Sequence, residues 1–423
     1  MIELSRIRQQ PEEVKARLAV KHVERPILVD EILALDELRR STQKEMDDSL
    51  AEQNRLAKEF GAFMAQGKKA EAEALKASTA ALKEKSGTLK IHLEELEKQQ
   101  FDLLVQLPNL PHADVPIGKT AEDNVVVKQV GDIPQLPGNA QPHWELAKKY
   151  ELFDLELGVK LTGAGFPVYT GKGARLQRAL IQFFLDRAVA AGYREIIPPH
   201  LVNADSAFGT GQLPDKEGQM YETKAEGFYL IPTAEVPVTN IVRDTLLEES
   251  ALPMRFTAYS PCFRREAGSY GKEVRGLNRV HQFDKVEIVQ LCHPDLSYAA
   301  LDDMLQHVEG LLTALELPYR ILRLCGGDMS FSSALTYDFE VYSTAQQRWL
   351  EVSSVSNFES FQTNRMKTRF RDAQKKVRLC HTLNGSALAL PRIVAALLEN
   401  HQTETGIRIP AALQSYTGFT EIA

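Results

Sequence analysis

The chain has 423 residues, of which 43% are hydrophobic and 25% charged, and its formal net charge is −7. This length allows two or three domains with a large core, and the negative charge argues against a general nucleic-acid binder while leaving room for a local basic patch. No run of about 18 apolar residues occurs and the N-terminus lacks the apolar core of a signal peptide, so we expect a cytoplasmic protein without membrane contact.

The cysteines are far apart in the chain and form no CxxC pair. They are Cys262, Cys292, Cys325 and Cys380. Reduced cytosolic thiols explain this spacing better than disulfides do. A zinc site would need further ligands brought together by the fold, and the sequence leaves that open.

Two long amphipathic helices are predicted near the N-terminus. Mainly apolar residues recur with alternating spacings of four and three over Leu28–Phe63, and of three and four over Ala72–Leu103. Both patterns are typical of coiled-coil seams. Residues 64–69 leave room only for a tight reversal, so the helices should pack antiparallel as a hairpin. Each would be on the order of 50–60 Å long, so this arm should project from any compact core.

Lysines are concentrated near the turn of the arm and along its second helix. The five that we single out as candidate phosphate ligands are Lys68, Lys69, Lys76, Lys83 and Lys90. Lysines are common on exposed helix faces, so a solvated spacer or dimerising coil explains them equally well.

A proline-rich linker at 107–116 ends the arm. Beyond it, the apolar positions of Ala174–Ala191 predict an amphipathic helix, and a short strand then ends at Pro198 and Pro199. We therefore divide the chain into an arm at 1–110 and a second domain at 111–423.

The stretch Ser260–Glu287 predicts a long hairpin. Side chains alternate between the two faces of a strand, so Arg264 shares a face with Glu266, and Phe283 shares one with Glu287. A polar loop joins the two strands. Its glycines are Gly268, Gly271 and Gly276. If the strands pair, one surface carries a guanidinium, an aromatic ring and two carboxylates, which suits a ligand with a phosphate, a flat base and an ammonium group.

This stretch closely resembles motif 2 of the class II aminoacyl-tRNA synthetases, in the form found in the seryl-tRNA synthetase family. The helix, strand and prolines that end at Pro199 resemble motif 1. Three further segments match the same family in the family's order: Thr233, Ala234 and Glu235; Glu351, Val352, Ser353 and Ser354; and Asn384–Arg392, which resembles motif 3. The joint order and spacing make coincidence remote.

The resemblance implies two adjoining pockets. The residues implied to bind serine are Thr233, Ala234, Glu235, Glu287 and Ser386. Those implied to bind ATP are Arg264, Arg265, Glu266, Phe283, Glu351, Val352, Ser353, Ser354 and Arg392. Arg264 and Arg392 are the implied catalytic residues. Glu351 and Ser354 are implied to approach Mg²⁺ through ATP, and their oxygens are the hard ligands that this ion prefers.

Three positions depart from the family pattern. Arg265 stands where serine is more usual, but alternation points it away from Arg264, so we expect little effect on catalysis. Ala387 and Pro391 stand where glycines are commoner, which keeps Arg392 but leaves the local backbone open. Phe283 has an alternative interpretation as a core aromatic residue, because strand phenylalanines usually pack.

The implied fold is α+β: an antiparallel two-helix arm and a catalytic domain on an antiparallel sheet flanked by helices. The implied reaction converts serine and Mg-ATP into seryl-adenylate, and then charges the 3′ end of serine tRNA, which the arm grips. The sequence leaves open whether selenocysteine tRNA is a second partner. The family is homodimeric. We expect no separate editing domain. Two alternatives are a non-catalytic paralogue that binds RNA or protein through the arm, and a ligase that loads serine onto another acceptor.

Overall fold

The computed structural model describes residues 1–23, 25, 27–215, 218–266 and 275–423. It contains two compact units. The first unit comprises Met1–Ala19 and Val23–Pro108, and the second comprises Val20–His22 and Asn109–Ala423.

The N-terminal helices include the predicted pair. They are α1 (Leu4–Gln9), α2 (Pro11–Val20), α3 (Leu28–Ala65) and α4 (Lys69–Leu104). Lys85 forms an ion pair with Glu45 at 2.7 Å, and Gln100 of α4 donates a hydrogen bond to the carbonyl of Ile32. Positions late in α4 therefore contact positions early in α3. The long antiparallel helix pair predicted from the seams is confirmed.

The seam between α3 and α4 contains polar as well as apolar residues. Gln53 Nε2 donates to Ser86 Oγ at 2.6 Å and to the carbonyl of Leu82 at 2.8 Å. Burying a polar group is costly unless it is hydrogen-bonded. These bonds therefore favour one alignment of the two helices over a shifted one.

The second unit is built around a β-sheet. The strands of the unit are β1 (Val125–Val130), β2 (Phe153–Asp154), β3 (Val168–Tyr169), β4 (Arg194–Glu195), β5 (Leu201–Val202), β6 (Tyr221–Glu222), β7 (Tyr229–Leu230), β8 (Leu246–Glu248), β9 (Met254–Phe263), β10 (Gln282–Cys292), β11 (Tyr319–Arg323), β12 (Leu335–Ser343), β13 (Arg348–Glu359), β14 (Arg369–Arg371), β15 (Val377–Leu379), β16 (His381–Ala389), β17 (Ile407–Arg408) and β18 (Glu421–Ile422).

The main sheet has eight strands in the order β1-β11-β12-β13-β16-β10-β9-β4. Neighbours in this sheet are antiparallel except β4 and β9, which are parallel.

Helices flank this sheet. They are α5 (His143–Lys149), α6 (Leu155–Leu161), α7 (Gly171–Ala190), α8 (Ala204–Thr210), α9 (Glu235–Thr239), α10 (Ser297–Ala314), α11 (Phe361–Met366), α12 (Leu390–Asn400) and α13 (Ala411–Thr417). Apolar side chains of α7, α10 and α12 join those of the central strands in one buried core. The predicted α+β fold is confirmed.

The start of α12 follows directly from its sequence. Strand β16 ends at Ala389, and Pro391 occupies the first turn of the helix, where a missing N–H removes no intrahelical bond. Arg392 is therefore placed in that first turn. In the described part of the chain, no helix is long and apolar enough to cross a membrane.

Candidate active site

A cavity of about 720 Å³ opens over the central strands of the second unit. Its walls include residues from both predicted pockets: Thr233, Glu235, Arg264, Glu266, Phe283, Glu287, Glu351, Val352, Ser353, Ser354, Ser386 and Arg392. Ala234 is fully buried beside it, and Arg265 lies outside the lining. The fold thus brings together residues that are more than 150 positions apart in sequence.

One end of the cavity holds a buried cluster of charges. Glu287 is ion-paired with Lys285, and it accepts hydrogen bonds from Thr233 at 3.1 Å and from Asn384 at 2.7 Å. Glu235 accepts a bond of 2.6 Å from Gln362. Two carboxylates facing one lysine leave an uncompensated negative charge, which suits an incoming ammonium group.

The protonation of Glu235 reflects this surplus. Burial raises the pKa of Glu235 to about 7, and the nearby negative charge of Glu287 adds to the rise. A cation placed between Glu235 and Glu287 would lower the pKa of Glu235 again, because an opposite charge favours the ionised form.

Arg264 lies immediately after β9, at the junction of the two ends of the cavity. Its guanidinium is 5.2 Å from the ring centre of Phe283, and its Nε donates to the carbonyl of Pro232, next to Thr233. The ring of Phe283 is half-buried and faces the cavity, so the alternative of a core aromatic residue is not what the structure shows.

The strand assignment of Arg264 and Glu266 was wrong. Strand β9 ends at Phe263, and Glu266 has a positive φ of 48°, so alternation along a strand does not set their directions. Both still line the cavity, and Glu266 is ion-paired with Arg279. The loop positions Gly268 and Gly271 lie outside the described residues.

Arg392 lines the cavity from the first turn of α12. Its Nε donates to the carbonyl of Asn278 at 2.9 Å, and its Nη1 donates to the carbonyl of Glu351 at 2.7 Å. The start of a helix carries unpaired N–H groups and a partial positive charge, so this position favours an anion.

An acidic residue that the sequence reasoning missed lies near Glu351. Asp338 of β12 is directly opposite Ser354 of β13. Burial, together with the neighbouring Glu351 carboxylate, holds the pKa of Asp338 well above its usual range. Its buried Oδ1 has no hydrogen-bond partner among the described residues. The carboxylates of Asp338 and Glu351, together with the hydroxyl of Ser354, form a set of oxygen donors that fits Mg²⁺.

Lys285 was also missed, although a signal for it was present. It lies between Phe283 and Glu287 with the alternation of a strand, and the pairing of β10 with β9 is regular there, so all three face the cavity. Asp338 had no comparable signal, because the pairing of β12 with β13 is not readable from the sequence.

Comparison with known proteins agrees with this arrangement. Residues 1–111 match the seryl-tRNA synthetase N-terminal domain, and residues 220–401 match the class II core domain of the synthetases for G, H, P, S and T. The chain is 54% identical to the serine–tRNA ligase of Salinibacter ruber, with 100% of this chain and 99% of the relative covered.

The chain belongs to the seryl-tRNA synthetases. It is 47% identical to a second serine–tRNA ligase, from Methylacidiphilum infernorum, over 98% of this chain and 99% of that protein. The crystal structure of the Pyrococcus horikoshii seryl-tRNA synthetase complexed with ATP superposes with a TM-score of 0.95 at 35% identity, covering 100% and 99% of the two chains. As a seryl-tRNA synthetase, the chain is an ATP-using ligase of serine and tRNA.

Proposed function

We propose that this synthetase forms seryl-adenylate in the described cavity, with the residues implied by the sequence in their assigned roles. The observation that carries the proposal is the position of Arg264. Its side chain contacts the Pro232 carbonyl beside Thr233 and stacks over Phe283, so it reaches both the ammonium-binding end and the aromatic end.

The reaction needs charge stabilisation more than proton transfer. A carboxylate oxygen of serine attacks the α-phosphorus of ATP, the bond to the bridging oxygen breaks, and pyrophosphate leaves. Arg264 holds the reacting carboxylate and the α-phosphate and stabilises the added negative charge. Arg392 at the start of α12 holds the departing phosphates.

Serine is held at the acidic end of the cavity. Its ammonium lies between Glu235 and Glu287, and Thr233, which donates to Glu287, keeps that carboxylate oriented. Ser386 and Asn384 line the same wall. A pocket that buries partners for the serine hydroxyl rejects alanine and glycine, because those partners would be left unpaired.

The adenine end and the metal site complete the pocket. Phe283 stacks on the base, and Glu266 accepts a hydrogen bond from its amino group after leaving Arg279. Glu351 and Ser354 would hold Mg²⁺ together with the ATP phosphates, and Asp338 would add a third oxygen. When bound, the ion neutralises phosphate charge and orients the leaving group. Arg265, which the resemblance implies to be an ATP-binding residue, lies outside the cavity lining, so we assign it no direct part.

The arm is proposed to bind serine tRNA. Its five candidate lysines are exposed on the helix pair or its turn, and phosphate contacts of this kind are sensitive to salt. We also propose a homodimer through the segment that resembles motif 1. Strand β4 lies at the edge of the sheet, and the following Ile197 is 87% exposed, so an apolar side chain is available there for a contact between subunits. Cytoplasmic location stays a prediction from the sequence.

The test is ATP–pyrophosphate exchange with each amino acid, followed by charging of total tRNA. Exchange that depends on serine, with charging of serine tRNA, supports the proposal. Absence of exchange would favour the non-catalytic paralogue, which the presence of Arg264, Glu266 and Arg392 argues against. Exchange without charging would favour a different acceptor.

A further inference from the structure

A buried histidine–glutamate pair lies behind the wall of the cavity. His143 begins α5 and Glu399 is near the end of α12, and neither is exposed to solvent. His143 Nδ1 lies 2.7 Å from Glu399 Oε1. The backbone N–H of His143 donates to the same oxygen at 3.1 Å.

The partner of the other ring nitrogen of His143 sets the tautomer of the ring. The backbone N–H of Leu277 donates to His143 Nε2 at 2.8 Å. A nitrogen that accepts a hydrogen bond carries no proton, so the proton of the neutral ring is on Nδ1 and is donated to Glu399. The carboxylate thus fixes the tautomer, and the tautomer allows His143 to hold the backbone at Leu277.

The backbone at this point approaches the histidine ring too closely for a side chain. A Cβ added to Gly276 would lie 2.1 Å from His143 Nε2, and Gly276 has a positive φ of 67°. The preceding Arg275 stacks on Trp144 at 4.6 Å. The first turn of α5 therefore contacts three consecutive residues of this segment, 275–277.

The next residue, Asn278, connects the pair to the cavity. Its side chain accepts and donates hydrogen bonds with Gln346, which in turn donates to Glu399 at 3.1 Å. Its carbonyl accepts the 2.9 Å bond from Nε of Arg392. Arg392 and Glu399 are seven residues apart on α12, two helical turns on one face, so this helix holds residues 277–278 at two points.

We propose that His143 and Glu399 are positioning residues for the nucleotide end of the site. They hold residues 277–278 so that the Asn278 carbonyl fixes the Arg392 guanidinium, and Arg279 is presented to Glu266. The inference rests on the proposed role of Arg392 in holding ATP phosphates. We do not expect His143 and Glu399 to affect serine binding. The residues proposed to hold serine, which are Thr233, Glu235 and Glu287, are hydrogen-bonded to other side chains.

Two substitutions at one position separate the two bonds of His143. His143→Asn places an amide near Nδ1 and loses the acceptor for Leu277, whereas His143→Gln places an oxygen near Nε2 and keeps that acceptor. The readouts are the Kd of ATP measured by calorimetry without serine, and the KM of serine in pyrophosphate exchange. His401→Asn, which alters another buried histidine bonded to the Leu315 carbonyl, is the matched control for stability alone.

The expected result is a weakening of ATP binding by about tenfold in His143→Asn, as for one orienting hydrogen bond. Binding should return to within about twofold of wild type in His143→Gln, and the KM of serine should change less than about twofold in both. His401→Asn should lower thermal stability without changing the Kd of ATP.

Gln346→Met provides a second route to the same segment if His143→Asn fails to fold. Gln346 is half-buried in the turn between β12 and β13, and its loss should weaken ATP binding about threefold. Unchanged ATP binding in folded His143→Asn or Gln346→Met, or a rise in the KM of serine equal to the loss of ATP binding, would overturn the inference. Tight ATP binding by a wild-type chain that lacks serine-dependent exchange would instead overturn the proposed function.

Discussion

The Nζ of Lys285 lies 2.9 Å from Oγ1 of Thr233, and the same ammonium is ion-paired with Glu287. Both side chains of this ion pair are nearly inaccessible to solvent. Removing one member of a buried ion pair leaves the other charge without compensation. The acidic end of the cavity, which we propose to hold serine, therefore depends on a lysine that need not contact the substrate.

Replacing Lys285 by methionine should lower the free energy of unfolding by about 3–5 kcal/mol, because the Glu287 carboxyl would be left in a buried site without its cation. Urea unfolding measures the change. The double variant Lys285→Met/Glu287→Gln is the control, and its loss should be clearly smaller than that of Lys285→Met. Equal losses in the two variants would show that the ion pair is not the cause.

Serine binding should depend on pH through Glu235. With a pKa of about 7 in the free chain, this carboxyl is protonated below that value, and binding an ammonium must then release the proton. The KM of serine in pyrophosphate exchange should rise about tenfold per pH unit below about 7 and level off above it. The KM of serine rises toward low pH because the raised pKa of Glu235 favours the protonated carboxyl, which cannot pair with a cation.

Glu235→Gln is the control for this pH dependence. It keeps the hydrogen-bonding shape and removes the titrating group, so serine binding should be weak and nearly constant over the same range. A wild-type profile that is flat between about pH 5.5 and 8 would contradict the assignment.

Arg264 and Arg265 form a matched pair, since they are neighbours of one residue type and only the first lines the cavity. Arg264→Ala should reduce kcat for pyrophosphate exchange by roughly 10²–10³, the loss typical of one stabilising group at a developing charge. Arg265→Ala should stay within about twofold of wild type. Comparable losses of kcat in both variants would show that lining the cavity is not what gives Arg264 its role.

The arm can be shortened without disturbing its base. Gln53 and Ser86 are hydrogen-bonded across the helix pair, so a short Gly-Ser link can replace residues 54–85. This variant should keep serine-dependent exchange within about twofold and lose tRNA charging by at least about 100-fold, because most of the candidate phosphate ligands are gone. Equal loss of both activities would argue against a separate tRNA-binding role.

Much of the site was predictable because the pattern around each of its residues is local in sequence. Phe283 and Glu287 lie on one strand, β10, where alternation alone assigns a common face, and Lys285 could have been assigned with them. Arg392 follows a strand and a proline that starts a helix. The helix pair was equally predictable, since the spacing of apolar residues over α3 and α4 is a property of each segment alone.

What the sequence could not determine was the part that depends on how distant segments pair. Alternation failed for Arg264 and Glu266, because β9 ends one residue earlier and the backbone then turns. Asp338 faces Ser354 only through the pairing of β12 with β13.

The sequence by itself determined the family, the two long helices and the chemical types of groups at the site. Only the tertiary structure decided which of those groups meet. The strand order of the sheet brings Asp338 to Ser354, and α5 and α12 place His143 beside Glu399 behind the cavity wall. Helix and strand patterns arise from neighbours in the chain, whereas the burial and charge balance of a site arise from residues that only folding brings into contact.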